Sequence, residues 1–195
     1  LNFSNNFRDV VAVNFVDALH GYLIVGPYGG GVFSTADGGA TWVDEALNQT
    51  NMCYKRSLYF EDANNGFVGG SMCFFGETIG RKQNGIWDTL FNVGDFNAAN
   101  QITNFDFLDA QNGLASGTGS YIFKTTDGGN SWDSIPTGFD TIGTSDVLFL
   151  TDSLAYAVYP TVGLEGVLIS TDGGLTWVRD GSLATFAYPG FSSAL

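Results

Sequence analysis

The sequence is poor in basic residues and contains few histidines and cysteines. Its 195 residues include 7 Lys and Arg against 20 Asp and Glu, a formal net charge of −13 at pH 7. Such an acidic surface repels a phosphate backbone, which argues against nucleic acid as a partner. No apolar run approaches the roughly 18 residues of a membrane-spanning helix, so no membrane insertion is expected. One histidine, His20, and two distant cysteines fall short of a tetrahedral metal site, and we expect no metal or other cofactor.

Glycine and aromatic residues are abundant instead. The chain contains 27 Gly, 17 Phe and 8 Tyr. Aromatic side chains favour pleated surfaces and glycine supplies the positive φ angles of tight turns, so this composition favours β-strands over a helical bundle. The length suits one globular domain or a few small repeated units.

The four tryptophans define an internal repeat. Trp42, Trp87, Trp132 and Trp177 each follow the previous one by 45 residues. Phe15, Phe60, Phe105 and Leu150 keep the same period, and Asp17, Asp62, Asp109 and Asp152 follow them with small shifts. Four repeats are therefore predicted, at about 10–54, 55–99, 100–144 and 145–182, within a single region that spans 1–195.

Each repeat reads as four short strands separated by turn residues. In the first repeat the apolar segments are 10–15, 22–25, 32–34 and 41–43. A four-stranded unit of this size cannot bury both faces alone, so successive units are expected to stack. The predicted fold is an all-β propeller, or propeller segment, of four antiparallel blades. A β-sandwich is the alternative, but it gives no reason for one Trp in every 45 residues.

A turn motif precedes three of the tryptophans. Each copy has a Ser or Thr, then an Asp, a Gly pair, a second Ser or Thr and the Trp; the Asp and Trp residues are Asp37 and Trp42, Asp127 and Trp132, and Asp172 and Trp177. The carboxylate can accept backbone N–H groups inside a hairpin, and the glycines supply positive φ. One Asp per blade separates the three around a ring, so we predict structural rather than catalytic roles.

This motif resembles the Asp-box (BNR-type) repeat of a β-propeller superfamily that includes sialidases, sortilin-type receptors, glycosidases and photosystem II assembly factors. The double glycine and short repeat are most similar to the photosystem II assembly factor and sortilin-like sets. The resemblance covers all four repeats and implies the fold, but the same scaffold hosts both binding and hydrolysis. Residues 183–195 are then expected to begin a fifth repeat of a longer propeller, or to close a four-bladed ring. An open arc would favour edge-to-edge self-association or further blades.

The second repeat departs from the pattern. Lys82 stands at the 45-residue phase of Asp37, so the turn acid is missing. The same repeat holds both cysteines, almost symmetric about a predicted hairpin turn near residues 63–64. We predict a Cys53–Cys73 disulfide and hence a secreted, cell-surface or periplasmic location. Two buried free thiols in a cytosolic protein are the alternative.

Function is predicted to be binding rather than catalysis. A sialidase would need three convergent arginines, whereas the four arginines here lie at different phases of the repeat. Part of an Asp-box glycoside hydrolase remains the alternative, since two carboxylates could come from separate blades. The predicted partner is a protein or glycan, held on the face opposite the Asp turns and centred on repeat two. Its candidate residues are Tyr28, Phe74, Phe75, Glu77, Tyr121 and Tyr159; packing of these rings into neighbouring blades is the competing interpretation.

Overall fold

The computed structural model describes residues 9–26, 30–47, 52–72, 76–93, 100–139, 143–160 and 166–180. They form four four-stranded antiparallel sheets, each with its strands in chain order. Blade 1 contains β1 Val10–Phe15, β2 Gly21–Val25, β3 Val32–Thr35 and β4 Val43–Asp44; blade 2 contains β5 Met52–Phe60, β6 Gly66–Met72, β7 Gly76–Gln83 and β8 Ile86–Asn92. Blade 3 contains β9 Ile102–Phe107, β10 Gly113–Gly117, β11 Tyr121–Thr125 and β12 Asp133–Pro136; blade 4 contains β13 Asp146–Phe149, β14 Ala155–Tyr159, β15 Gly166–Ser170 and β16 Val178–Arg179.

The first strands of successive blades lie side by side. Strand β1 contacts β5, β5 contacts β9, and β9 contacts β13. Among the described residues, β13 and β1 do not contact each other to a comparable extent. The predicted all-β architecture of four antiparallel four-stranded blades is confirmed. No helix in the described part of the chain is long and apolar enough to cross a membrane.

The hairpin between the third and fourth strands has the same hydrogen bonds in blades 1, 3 and 4. In blade 1, the Thr41 amide and hydroxyl donate to the two carboxylate oxygens of Asp37 at 2.8 and 2.5 Å, and the Thr35 hydroxyl donates to Oδ1 at 2.8 Å. The Gly39 amide then donates to the Thr35 hydroxyl at 2.9 Å. Asp127 and Asp172 are held in the same way in blades 3 and 4. Each carboxylate is therefore bound within its own turn.

The glycine pair in each turn also has a packing role. Both glycines have positive φ in all three turns, for example +68° and +75° at Gly128 and Gly129. A β-carbon on Gly129 would lie 2.2 Å from the Phe67 ring in blade 2. The second glycine of this pair thus allows the turn to pack directly against the preceding blade.

Blade 2 replaces this turn with a shorter hairpin. Asn84 and Gly85 connect β7 to β8, and both have positive φ, +51° and +81°, as a type I′ turn requires. Lys82 pairs with Gly66, just as Thr35 pairs with Gly21. Lys82 therefore matches Thr35 and not Asp37, because the segment from Gly66 to Lys82 is two residues longer than that from Gly21 to Thr35; the shorter turn then restores the 45-residue period at the tryptophan. The Asn-Gly dipeptide is the local signal that would have identified it.

Aromatic rings interlock the blades. Tyr22 of blade 1 stacks on Phe60 of blade 2, with ring centroids 3.6 Å apart, and Phe67 of blade 2 stacks on Phe107 of blade 3 at 5.4 Å. In blades 2 and 3 the phenylalanine of this stack also meets the tryptophan of its own blade edge-on. The ring centroids are 6.1 Å apart for Trp87 and Phe60 and 5.9 Å apart for Trp132 and Phe107. We call this arrangement the aromatic interlock: a second-strand ring of one blade stacks on a phenylalanine of the next blade, and that phenylalanine meets the tryptophan of its own blade edge-on.

The Asp turns lead to a testable pH dependence. Hydrogen bonds from the Thr176 hydroxyl and amide lower the pKa of Asp172 to about 2, against about 3.9 for an unfolded aspartate. The stabilisation is therefore fully present above about pH 4 and is lost as pH falls through the folded pKa. An Asp172→Asn variant should be less stable than the parent at pH 6, and this difference should shrink between pH 4 and pH 2.

Urea unfolding at stepwise pH measures that difference. Asp133→Asn is a matched control, because Asp133 is an exposed carboxylate of β12 outside the Asp turns. A constant difference between parent and Asp172→Asn from pH 6 to pH 2 would contradict the assigned role of the turn carboxylate.

Candidate functional site

The predicted binding residues do not form a single patch in the described part of the chain. Tyr28, Phe74, Phe75 and Cys73 lie outside the described residues. Tyr159 is buried in the cluster that joins blades 3 and 4, where it packs with residues such as Leu168. Tyr121 is half-buried and packs against the cluster of blades 2 and 3. The side chain of Tyr159 is therefore core, which corrects its proposed ligand role, and the ring of Tyr121 is largely taken up by packing.

The prediction that Glu77 is an exposed binding residue is also wrong. Its side chain is fully buried, and its Oε1 accepts the backbone N–H of Gly119 in blade 3 at 2.8 Å. A β-carbon on Gly117 would lie 2.4 Å from the same oxygen, so the carboxylate fits against a glycine-lined part of blade 3. Glu77 is thus a contact between blades and not an exposed ligand contact.

The unusual charged residues of blade 2 reach its two neighbours. Lys55 donates from Nζ to the Gly30 carbonyl of blade 1 at 2.9 Å. Arg81 donates to Oδ1 of Asn130, in the Asp turn of blade 3, at 2.6 Å. With Glu77, they connect blade 2 to both sides. The departure of repeat two from the consensus motif therefore coincides with a set of contacts between blades.

A cleft of about 410 Å³ lies between blades 1 and 2 at the end that carries the Asp turns. At its base Lys82 Nζ lies 2.6 Å from Glu45 Oε2, and both side chains are largely buried. The Trp87 indole N–H donates to the same oxygen at 2.9 Å, and Lys82 also lies 3.2 Å from the Tyr22 hydroxyl. The cleft is also lined by His20, Ser34, Thr35, Ala36, Asp37, Thr41, Val43, Ala63 and Asn64.

The carboxylates of this cleft are held in their charged form. Burial raises the pKa of Glu45, but hydrogen bonds from Lys82, Ser34 and Trp87 outweigh burial and leave the pKa below its ordinary value. Hydrogen bonds from Thr41 lower the pKa of Asp37 to about 2. A general acid for glycoside cleavage needs a raised pKa. Neither carboxyl suits that role.

A second cleft, of about 260 Å³, lies between blades 2 and 3 at the same end. One wall carries three mutually stacked rings: Tyr59 lies 4.5 Å from Phe107, which stacks on Phe67. Arg81 and Asn130 form a hydrogen-bonded pair beside them. Polar side chains complete the lining, among them Glu61, Asn65, Gln83, Gln111 and Asp127.

Asp127 is bound within its turn like Asp37. Burial raises the pKa of its carboxyl, but hydrogen bonds from the Ser131 hydroxyl and amide outweigh burial and lower it. The described residues contain no group of three His, Cys, Asp or Glu side chains that could hold a metal ion. The second cleft therefore offers rings, amides and one guanidinium beside the carboxylates of Glu61 and Asp127, and such groups can orient a bound molecule.

Comparison with solved structures agrees with this arrangement. The chain is a segment of a β-propeller. It is similar to YCF48 from Cyanidioschyzon merolae (TM-score 0.60, 19% identity), covering 89% of this chain and 57% of that one. It is also similar to the GH74 xyloglucanase of Xanthomonas campestris (0.61, 16%; 89% and 30%) and the WD40 β-propeller domain of Doa1 (0.59, 11%; 89% and 55%). The chain thus spans less than two thirds of these proteins, and at such identities the likeness concerns the fold.

No protein-family model matches the sequence. No curated protein matches it either.

Proposed function

We propose that this chain is a non-catalytic binding segment of an Asp-box propeller, which holds a protein or a glycan partner. The observation that supports binding is the second cleft, where the stacked wall of Tyr59 and Phe107 lies beside the Arg81–Asn130 pair. The carboxylates Asp37, Glu45 and Asp127 are bound in turns or in an ion pair with lowered pKa, which disfavours each of these three as a general acid.

The binding test asks whether the partner binds at the second cleft. Arrays of immobilised glycans and peptides would first identify a binder, including xyloglucan oligosaccharides because of the likeness to a xyloglucanase. We expect Arg81→Ala to weaken that binder at least tenfold, since loss of a charge-assisted contact costs roughly 1.5–3 kcal/mol. Arg56→Ala is the matched control: Arg56 is an exposed arginine of the same blade that does not line the cleft.

The opposite face remains a competing location for the partner. Tyr28, Phe74 and Phe75 lie outside the described residues, and their role there stays a prediction. If a Phe74→Ala, Phe75→Ala double variant lost binding while Arg81→Ala retained it, the partner would sit opposite the Asp turns. Equal binding by all these variants would contradict both locations.

The alternative function is part of a glycoside hydrolase. Its support is the likeness to the GH74 enzyme, of which this chain covers 30%. Release of reducing ends from xyloglucan by the purified chain would favour this alternative over a binding role. We expect none, because Asp37, Glu45 and Asp127, three of the carboxylates that line the clefts, have lowered pKa values and are poor general acids.

We propose an extracytoplasmic location (secreted, at the cell surface or periplasmic) on the basis of the predicted disulfide. Met52 pairs with Met72 in the β5–β6 ladder, and the two cysteines immediately follow these residues. The described residues contain no free cysteine. Because Cys73 lies outside them, the Cys53–Cys73 bond stays a prediction.

Alkylation tests the disulfide directly. Native protein from the source organism, treated with iodoacetamide under denaturing, non-reducing conditions, should take up no label at Cys53 or Cys73, and should take up two labels after reduction. Two labelled thiols before reduction would remove the support for an oxidising compartment.

A further inference from the structure

A basic side chain on the third strand reaches the Asp turn of the next blade at two of the junctions between blades. Arg81 in β7 donates to Oδ1 of Asn130, in the turn of blade 3, at 2.6 Å. Lys124 in β11 donates to the carbonyl of Gly173, in the turn of blade 4. Each of the two pairs with the second residue of the second strand in its own blade, so the two cations hold equivalent positions.

Within the described residues, the junction of blades 1 and 2 lacks this kind of bridge. The equivalent residue of blade 1 is Ser34, which pairs with Tyr22, the second residue of β2. A serine side chain is too short to span the junction, and blade 2 has the two-residue turn of Asn84 and Gly85 in place of an Asp turn. The cleft of about 410 Å³, here called the first cleft, lies at this junction, and Ser34 lines it.

The turns at this end of the blades are all described. Turns between the first and second strands lie beside those between the third and fourth strands: the Gly38 amide donates to the Leu19 carbonyl, and the Gly85 amide to the Asn64 carbonyl, each at 2.9 Å. The described ranges break only between second and third strands, between blades and at the two ends of the chain. The lining of the first cleft is therefore drawn from connections that are described in full.

The first cleft has an excess of negative charge. Its described lining contains two carboxylates, Asp37 and Glu45, and a single lysine or arginine, Lys82. Lys82 is already bound to Glu45 at 2.6 Å. His20 also lines the cleft, but its Nδ1 lies 2.8 Å from a carboxylate of its own, Asp17. The charge of Asp37 is thus left for a cation from outside the chain.

We propose that the first cleft accepts an arginine side chain of a partner protein, at the place that Arg81 and Lys124 fill at the other two junctions. A guanidinium can bind carboxylate oxygens through several N–H groups, and the arginine stem can pack on apolar lining such as Val43. The net charge of −13 also favours the approach of a basic segment. This site is separate from the second cleft, and it rests on the proposed function only in taking the partner to be a protein.

Nuclear magnetic resonance of the isotope-labelled full chain tests the proposal, with N-acetyl-arginine N-methylamide as the probe. The indole N–H of Trp87 reports on the cleft, because it donates to Glu45 at 2.9 Å. Trp177, buried in the cluster of blades 3 and 4 and lining neither cleft, is the internal control. We expect the Trp87 signal to shift saturably, with a dissociation constant on the order of 1 mM, and the Trp177 signal to stay. The uncharged citrulline analogue should bind at least about tenfold more weakly.

A variant that fills the cleft from within the chain makes the test specific. Ser34→Arg places a cation at the position equivalent to Arg81, so it should abolish the saturable shift at Trp87. Leu175→Arg adds the same charge at an exposed position outside both clefts and should bind the probe like the parent. Circular dichroism shows whether each variant is folded; if Ser34→Arg is not, Ser34→Lys replaces it.

Four outcomes would overturn the proposal. They are no shift at Trp87, equal binding of the arginine and citrulline probes, equal shifts at Trp87 and Trp177, and binding that survives in the folded Ser34 variant. The first excludes a site for arginine, the second indicates a ligand recognised without its charge, and the third indicates diffuse attraction to an acidic surface. Because Arg81 takes no part in this titration, its result is independent of the array test at the second cleft.

Discussion

Replacing Lys82 with alanine is expected to lower the free energy of unfolding by about 3 kcal/mol, because it leaves a largely buried carboxylate without its counter-ion. Lys82 is bound to Glu45 at 2.6 Å across the interface of blades 1 and 2, and its ammonium lies 5.0 Å from the Tyr22 ring centroid. Urea unfolding monitored by tryptophan fluorescence measures the loss. Gln83→Ala, at the exposed neighbouring position, should stay within about 0.5 kcal/mol of the parent.

A double variant separates the cost of leaving a buried carboxylate unpaired from the cost of losing the packing of the Lys82 side chain. Lys82→Met keeps much of the apolar stem, and Glu45→Gln keeps an acceptor for the Trp87 indole N–H. The combined variant should regain most of the stability lost in Lys82→Ala, because no unpaired charge remains. If Lys82→Ala matched Gln83→Ala, the ion pair would contribute nothing measurable to the joining of blades 1 and 2.

Trp132→Ala is expected to cost about 3 kcal/mol, the lower end of the range for large aromatic residues, because Trp132 is half-buried against the cluster of blades 2 and 3. Its indole meets the rings of Phe67 in blade 2 and Phe107 in blade 3 edge-on, at 5.8 and 5.9 Å. The substitution would leave a cavity between blades 2 and 3, so the decrease in the free energy of unfolding should affect both blades. Thermal and urea unfolding, each followed by circular dichroism and by fluorescence, measure this decrease.

Trp42→Ala is the matched control for that variant. Trp42 has the same position in the repeat and an equivalent edge-on phenylalanine, but that phenylalanine, Phe15, is 45% exposed. The free energy of unfolding should fall less than in Trp132→Ala, by at least about 1 kcal/mol, because Trp42→Ala removes less buried apolar surface. Equal losses would show that the tryptophan stabilises its own hairpin and not the contact between blades.

The repeat architecture was readable from the sequence because its determinants are local. A tryptophan every 45 residues, with turn chemistry between short apolar segments, fixed the number of blades and strands. The hydrogen bonds of Asp37 to Thr35 and Thr41 lie within four residues along the chain, so their chemistry could be inferred from the motif. The shorter hairpin of blade 2 was equally local, through Asn84 and Gly85, but a fixed 45-residue phase concealed it.

The fates of the charged and aromatic side chains were decided by the tertiary structure. Lys82 and Glu45 are separated by 37 residues, and Glu77 and Gly119 by 42, so nothing local distinguishes these buried groups from exposed ones. The same holds for Tyr159, an aromatic beside a loop that is core because blades 3 and 4 enclose it. Whether such a side chain is buried or paired depends on the blade that packs against it, and the sequence of one repeat does not specify the residues of that neighbouring blade. The sequence alone therefore determined the blades and their Asp turns, and the stacking of the blades determined which residues remain available to a partner.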